Sequence, residues 1–272
     1  MSMKKYILLV FSVAVLFSCN RREETARPNI IFIMSDDHAA RAISAYDSML
    51  VSTPNIDRLA ERGIRFDNCF CTNAICAPSR AVILTGKYSH MNGVLDNSRP
   101  FNGEQQTLPK LLKEAGYQTA IIGKWHLKST PTGFDHWQVL PGQGEYYRPD
   151  FIDSTGKHSM EGYVTDIITD MGIGFLEDRD PGRPFFLMLH HKAPHRSWQP
   201  AIRHLGMFEA REFPVPANLG DTYNGKSPAP EQQEMTIARH MSLDYDLKMP
   251  EELIEKKGSD RELFFNTGWS DP

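Results

Sequence analysis

Cys76-Ala77-Pro78-Ser79-Arg80, continuing through Ala81-Val82-Ile83-Leu84-Thr85-Gly86-Lys87, is the stretch on which the reading of this chain turns. Pro78 suits a first helical turn, where its missing N–H would have no partner in any case. Ala81, Val82, Ile83 and Leu84 continue a short apolar helix, and Gly86 is its stop, because glycine takes the left-handed conformation without strain. This places Cys76 at a helix N-terminus, where the dipole favours anions. Arg80 lies about one turn further on and can reach back to the same anion. A lone cysteine is ordinarily a small buried hydrophobe, but this one sits where charge chemistry can occur.

Upstream, residues 63–72 read as a strand feeding the cysteine loop. Cys69 and Cys71 are two apart, share one face, cannot bridge each other and read as packing residues. Thr53-Pro54-Asn55-Ile56-Asp57-Arg58-Leu59-Ala60-Glu61-Arg62-Gly63 is punctuated as a helix: Thr53 caps it, Pro54 is its first position and Gly63 ends it. Ile56, Leu59 and Ala60 should face the core, with Ile64 packed just beyond. Asn29-Ile30-Ile31-Phe32-Ile33-Met34 predicts a strand buried on both faces, as in a parallel sheet. It ends at Ser35-Asp36-Asp37-His38. Open α/β sheets bind ligands beyond the carboxyl ends of their strands, and two adjacent carboxylates there repel unless a cation lies between them. Oxygen ligands of this kind suit calcium, with magnesium as the alternative. His38 reads as a neighbour of such a site or as surface, not as a ligand.

At the start of the chain, Lys4 and Lys5 precede an apolar run over residues 6–17 that is too short to span a bilayer. Residues 1–19 read as an export signal, and Leu16-Phe17-Ser18-Cys19 is similar to a bacterial lipobox, which would make Cys19 a lipidated N-terminus. Cleavage nearby by the ordinary peptidase is the alternative. Residues 20–27 form a polar tether. The expectation is an exported protein in the periplasm or cell envelope, held to the envelope membrane by a lipid anchor.

Downstream, residues 107–115 carry Leu108, Leu111, Leu112 and Ala115 at helical spacing, and Gly116 stops them. The next strand, residues 117–122, ends at Gly123-Lys124-Trp125-His126. Residues 131–153, rich in Gly, Pro, Tyr and Asp, read as a loop and a candidate substrate rim. Residues 164–179 are a helix with Val164, Ile167, Ile168, Met171 and Phe175 on one face. Phe185-Phe186-Leu187-Met188-Leu189 is a further strand, followed by His190-His191-Lys192-Ala193-Pro194-His195. Three histidines invite a zinc reading, but no cysteine or carboxylate set at zinc spacing accompanies them. Residues 211–231 are loop-like, 231–247 a candidate helix, and 249–272 strongly charged.

C-x-P-S-R followed by L-T-G-[RK] resembles the signature of the type I sulfatases. P-N-I-I-F-I at 28–33 ahead of Asp36-Asp37, G-K-W-H-L at 123–127 and A-P-H at 193–195 are similar to further motifs of that family. The resemblance implies an α/β, alkaline-phosphatase-like sandwich with a mostly parallel central sheet. It implies that a sulfatase-maturating enzyme oxidises Cys76 to formylglycine, whose hydrate is the nucleophile. It further implies that Asp36, Asp37 and position 76 hold the metal, and that Arg80, Lys124, His126 and His195 serve catalysis. The glycan-sulfatase branch typified by N-acetylglucosamine-6-sulfatase is the part of the family it most resembles, which points to a sulfated sugar. A phosphate or phosphonate ester hydrolase of the alkaline-phosphatase superfamily and an inactive remnant or binding protein are the rival readings.

The family pattern also carries a later Asp-Asn or Asp-Gln pair and a later lysine, and neither follows here. The expectation is therefore a domain whose C-terminal part is absent, with a core at 28–203, an irregular and helical extension at 204–272, and an unpaired sheet edge with an exposed apolar face. Composition agrees with an ordinary folded chain: 272 residues, 40% hydrophobic and 24% charged. A net charge of −4 argues against a nucleic-acid surface, but leaves room for a local basic pocket. Four cysteines, at 19, 69, 71 and 76, make no disulfide framework.

Overall fold

Branched and aromatic runs build a sheet, and helices of the intervening segments cover it. The computed structural model describes residues 27–233 and 240–249. The export signal with Cys19 and residues 20–26 of the tether lie outside the described residues. In chain order the elements are β1 (Ile30–Met34), α1 (Pro54–Arg62), α2 (Cys76–Thr85), α3 (Ser89–Asn92), α4 (Leu108–Glu114) and β2 (Gln118–Lys124). Then come β3 (His136–Leu140), β4 (Asp150–Asp153), β5 (Gly156–Ser159), α5 (Val164–Asp178), β6 (Phe185–His190) and α6 (Ala229–Gln232).

The strands lie in the order β1-β6-β2-β3-β4-β5. β1, β6, β2 and β3 are parallel, while β4 and β5 run antiparallel. The strand period of two sends alternate residues to opposite layers. Phe186, Met188 and Ile121 pack with Ala77, Ala81 and Leu84 of α2 on one face. Phe185, Leu187, Leu189, Ala120 and Ile122 pack with Val164, Ile167 and Ile168 of α5 on the other. The mixed α/β architecture with a mostly parallel sheet is the one expected.

Register brings the functional strand ends level. Met34 of β1 lies opposite His190 of β6, and His190 lies opposite Gly123 of β2. Asp36, Lys124 and the segment after His190 therefore leave the sheet side by side. Gly123 is required for this: its φ is +102°, and a Cβ there would sit 2.0 Å from the His190 carbonyl oxygen.

Several expectations fail, and those for β1, α1 and residues 63–72 fail because the layer they needed is not supplied by the described residues. β1 is an edge strand half-buried on one face only, with Ile31 47% and Ile33 59% exposed. Ile56 and Leu59 of α1 face solvent, Ala60 is only half-buried, and Ile64 is 80% exposed. Residues 63–72 form no strand, since nothing among the described residues pairs with them, and Cys69 and Cys71 are exposed instead of packed. Residues 131–153 are not one loop; they hold β3 and β4, where β3 gains ladder bonds from β2. Of the helix expected over 231–247, residues 231–232 lie in α6, His240 is helical and 243–247 are turns, while residues 234–239 lie outside the described set.

Candidate active site

The site grows from the start of α2. The helix begins at Cys76, with Ser79 N–H closing the first turn on the Ile75 carbonyl at 3.0 Å. It ends at Gly86, whose φ is +65° and whose N–H bonds the Val82 carbonyl at 2.8 Å. Pro78 sits in the first turn, where helical N–H groups lack intrahelical acceptors. The free N–H of Ala77 is taken by the buried Asn97 side chain at 3.0 Å. Asn97 carries no sequence signal; its loop comes into place only by folding.

Around Cys76 the strand ends assemble a buried charged corner. The Lys124 side chain is fully buried and donates to Asp36 Oδ2 and to Gln143 Oε1. Its Nζ also lies 3.9 Å from Cys76 Sγ. Arg80 is buried as well: Nη2 is 3.7 Å from Asp36 Oδ2, while Nη1 donates to the Lys124 carbonyl. The Cys76 thiol faces Asp36 Oδ1 at 3.9 Å. Two cations against one carboxylate leave the corner net positive inside a chain of net charge −4. That excess suits an anionic group beside Cys76. Gln143 was missed from sequence, although it lies inside the segment read as a substrate rim.

The electrostatics follow from burial against pairing. Burial pushes the Asp36 carboxyl up, but Lys124 and Arg80 outweigh it and hold it below its ordinary value. Burial raises the Cys76 thiol, with Asp36 adding to the effect against the pull of Lys124 and Arg80. The unmodified thiol is therefore poorly ionised at neutral pH, so a thiolate nucleophile is disfavoured. Burial, then Lys124 and Arg80, lower His126 to about 4, so its ring is neutral at pH 7. His126 Nδ1 is buried with no partner among the described residues.

His195 completes the corner from the β6 side. Its imidazole, a carboxylate oxygen of Asp36 and Cys76 Sγ lie within 4.8 Å of one another. The backbone beside it is tied by three tyrosines, two from the segment read as a substrate rim and one at the start of α5: Tyr146 Oη donates to the His195 carbonyl at 2.5 Å, Tyr147 Oη to the Pro200 carbonyl at 2.6 Å and Tyr163 Oη to the Gln199 carbonyl at 3.0 Å. Asp37, by contrast, is exposed with φ +59° and stands outside the cluster. His38 bonds Ser35 and the Ala42 carbonyl, both at 3.0 Å, as befits a neighbour of the site.

The cluster accommodates a hard cation in part. Calcium takes about six to eight oxygen ligands, and of the three clustered residues only Asp36 offers oxygen. Conversion of Cys76 to an aldehyde hydrate would replace its sulfur with oxygen and bring position 76 into the same donor class.

Comparison with known proteins identifies the family. The family model described as Sulfatase matches residues 28–246. The N-acetylglucosamine-6-O-sulfatase of Bacteroides thetaiotaomicron is 57% identical over 249 residues, covering 89% of this chain and 44% of that protein. The N-acetylglucosamine-6-sulfatase of Homo sapiens is 29% identical over 215 residues, covering 68% of this chain and 37% of the relative. A solved structure described as a complex with its substrate D-glucosamine-2-N,6-O-disulfate superposes with a TM-score of 0.79 at 54% identity, covering 87% of this chain and 49% of that one. The chain thus spans less than half the length of these relatives.

Proposed function

We propose, from the premise that this chain belongs to the sulfatase family, that it acts as a sulfuric ester hydrolase on sulfated glycans, with 6-sulfated N-acetylglucosamine as the substrate class. The observation that carries the reading is the net-positive corner of Asp36, Lys124 and Arg80 around Cys76 at the strand ends. The substrate class is supported by the names of the Bacteroides and human relatives and by the sugar disulfate in the similar solved structure.

Converted to formylglycine by a maturating enzyme, position 76 would supply a hydrated aldehyde whose hydroxyl attacks sulfur. Calcium, or magnesium in its place, held by Asp36 and the oxygens of converted Cys76, would withdraw charge from the sulfate oxygens; Asp37, exposed outside the cluster as it stands, would have to turn inward to join them as a ligand. The remaining work falls to side chains of this chain. Lys124 and Arg80 offset the charge that grows on those oxygens, and the surrounding burial strengthens the effect. Their mutual anchor on Asp36 holds both cations in place before substrate arrives. His126, neutral at pH 7, hydrogen-bonds the hydroxyl at position 76 without adding charge. His195 approaches from the opposite wall and passes a proton to the leaving alcohol oxygen. The segment at 195–200, held in place by three tyrosine hydroxyls, is the part of the chain to which this reading assigns the sugar.

Export, with the signal cleaved ahead of Cys19, Cys19 lipidated as the new N-terminus and residues 20–27 as tether, belongs to the same proposal; a polymer-derived sugar is met outside the cytoplasm. Co-expression with a maturase followed by mass spectrometry of the peptide spanning Cys76 tests the conversion: an aldehyde is expected, and an unmodified thiol throughout sinks it. Sulfate release from 6-sulfated N-acetylglucosamine should exceed release from 2-sulfated uronic acid or 4-sulfated galactosamine. A preference for aryl phosphate over aryl sulfate would overturn the sulfate assignment.

A further inference from the structure

We propose that His190 is a positioning residue for Arg80: its Nδ1 accepts a hydrogen bond from Arg80 Nη1 and thereby aims Nη2 at Asp36 and the side chain of residue 76. His190 closes β6 and is buried. Its Nδ1 lies 3.1 Å from Arg80 Nη1, which also donates to the Lys124 carbonyl. Arg80 Nη2 lies 3.7 Å from Asp36 Oδ2. Because a guanidinium is planar and rigid, fixing one end fixes the direction of the other. Arg80 has four side-chain bonds to rotate about; the carbonyl and the imidazole together hold its tip from two sides.

A buried imidazole is a costly way to fill this position. Its Nε2 has no partner among the described residues, and a buried hydrogen bond left unmade is destabilising. Phe32 packs edge-on against the ring at 5.7 Å, so an apolar side chain would also be accommodated. The polar contribution of His190 is therefore made at Nδ1. That atom has two neighbours with opposite demands. Arg80 Nη1–H needs a lone pair there, whereas the Lys124 carbonyl, at 3.2 Å, needs a proton there. The guanidinium carries a charge and already serves the same carbonyl, so the charge-assisted bond decides. His190 is then the neutral tautomer with its proton on Nε2. None of the catalytic roles proposed above includes this residue, and only the kinetic part of its test rests on the hydrolase reading.

Nitrogen-15 NMR of histidine-labelled protein, with His190 assigned by its loss in His190→Asn, tests the tautomer without any turnover. The expected result is a proton on Nε2 and an unprotonated Nδ1 at pH 7; a proton on Nδ1 overturns the proposal. In matured enzyme, His190→Leu is expected to lower kcat by about 10²-fold with a much smaller change in KM, the order that follows from misplacing a catalytic group by about 1 Å. His190→Asn, whose Oδ1 can accept from Arg80, should recover most of that loss. In an Arg80→Lys background His190→Leu should add little, because the two act through one contact. Equal losses for Leu and Asn, or fully additive losses, overturn the positioning role. Absence of sulfate release from wild-type enzyme would sink the hydrolase reading and leave the tautomer to decide His190.

Discussion

Two regions of this protein invert the usual arrangement in opposite directions. In the strand-end corner, Asp36, Arg80, Lys124, His126 and His190 are charged or titratable and buried. Along the outer face of β1 and the segment from α1 to Phe70, Ile31, Ile33, Leu59, Ile64, Phe66 and Phe70 are apolar and exposed. The corner tolerates buried charge because each charge has a partner a few ångströms away. The outer region shows that an apolar pattern only permits burial; a second layer has to arrive. The lesson is that burial here follows partnership and not polarity.

The comparison breaks most completely at Gly123. Gly123→Ala forces a Cβ into the His190 carbonyl at a φ that alanine rarely adopts. The expected cost exceeds about 4 kcal/mol, in the range reserved for severe strain or clash, and denaturant unfolding would measure it. A variant of near wild-type stability would mean that β2 and β6 do not meet as described.

Lys124→Met comes next. It leaves the Asp36 carboxylate buried with Arg80 as its remaining cation, and removing one partner of a buried pair costs about 3–5 kcal/mol. If the variant still folds, sulfate release by the matured protein should fall by about 10²–10³-fold, as when an oriented electrostatic donor is lost. An unchanged rate would separate the buried pair from catalysis.

Acid sharpens the contrast more gently. Burial, then neighbouring cations, hold His126 near 4 and His190 near 3, below the ordinary histidine value of 6.5. The unfolded chain therefore binds more protons than the folded one below pH 6.5. Stability is full above 6.5 and falls as pH drops, through about 4 for His126 and about 3 for His190. The urea midpoint should be lower at pH 5 than at pH 7, and His190→Asn should flatten that slope. Equal midpoints at the two pH values would show that neither ring is buried in its neutral form.

The smallest effect belongs to the outer region. Leu59→Lys, at a side chain 66% exposed, should change stability by no more than about 0.5 kcal/mol. Ile121→Ala in the core should cost about 2–5 kcal/mol. A large loss from Leu59→Lys would reveal a covering layer in solution.

Much of the fold was legible in consecutive residues. The starts and stops of α1, α2 and α4, the apolar runs of β1, β2 and β6, and the motif residues Asp36, Cys76, Arg80, Lys124, His126 and His195 lie where their local signals place them, although the Thr53 side chain bonds Ser44 and Asp57 instead of capping α1. What was lost needed distant partners. β3 was hidden in a Gly- and Pro-rich stretch because its ladder comes from β2. The strand expected at 63–72 had the right residues and, among the described residues, no strand to pair with.

Helix periodicity, proline and glycine punctuation and short motifs are properties of neighbours in sequence, so the sequence by itself determined helices α1, α2, α4 and α5, strands β1, β2 and β6, the family signature and the identity of the candidate nucleophile at Cys76. The pairings that give those residues their chemistry were decided by tertiary structure alone. Lys124 meets Asp36 across 88 residues and His190 meets Arg80 across 110. Gln143, Asn97 and His190 carry no motif; they enter the corner because sheet register and loop closure bring them there. Whether an isoleucine on β1 is core or surface was likewise decided by what packs against it, because the hydrophobic effect acts on area removed from water and a sequence pattern removes none until a partner covers it.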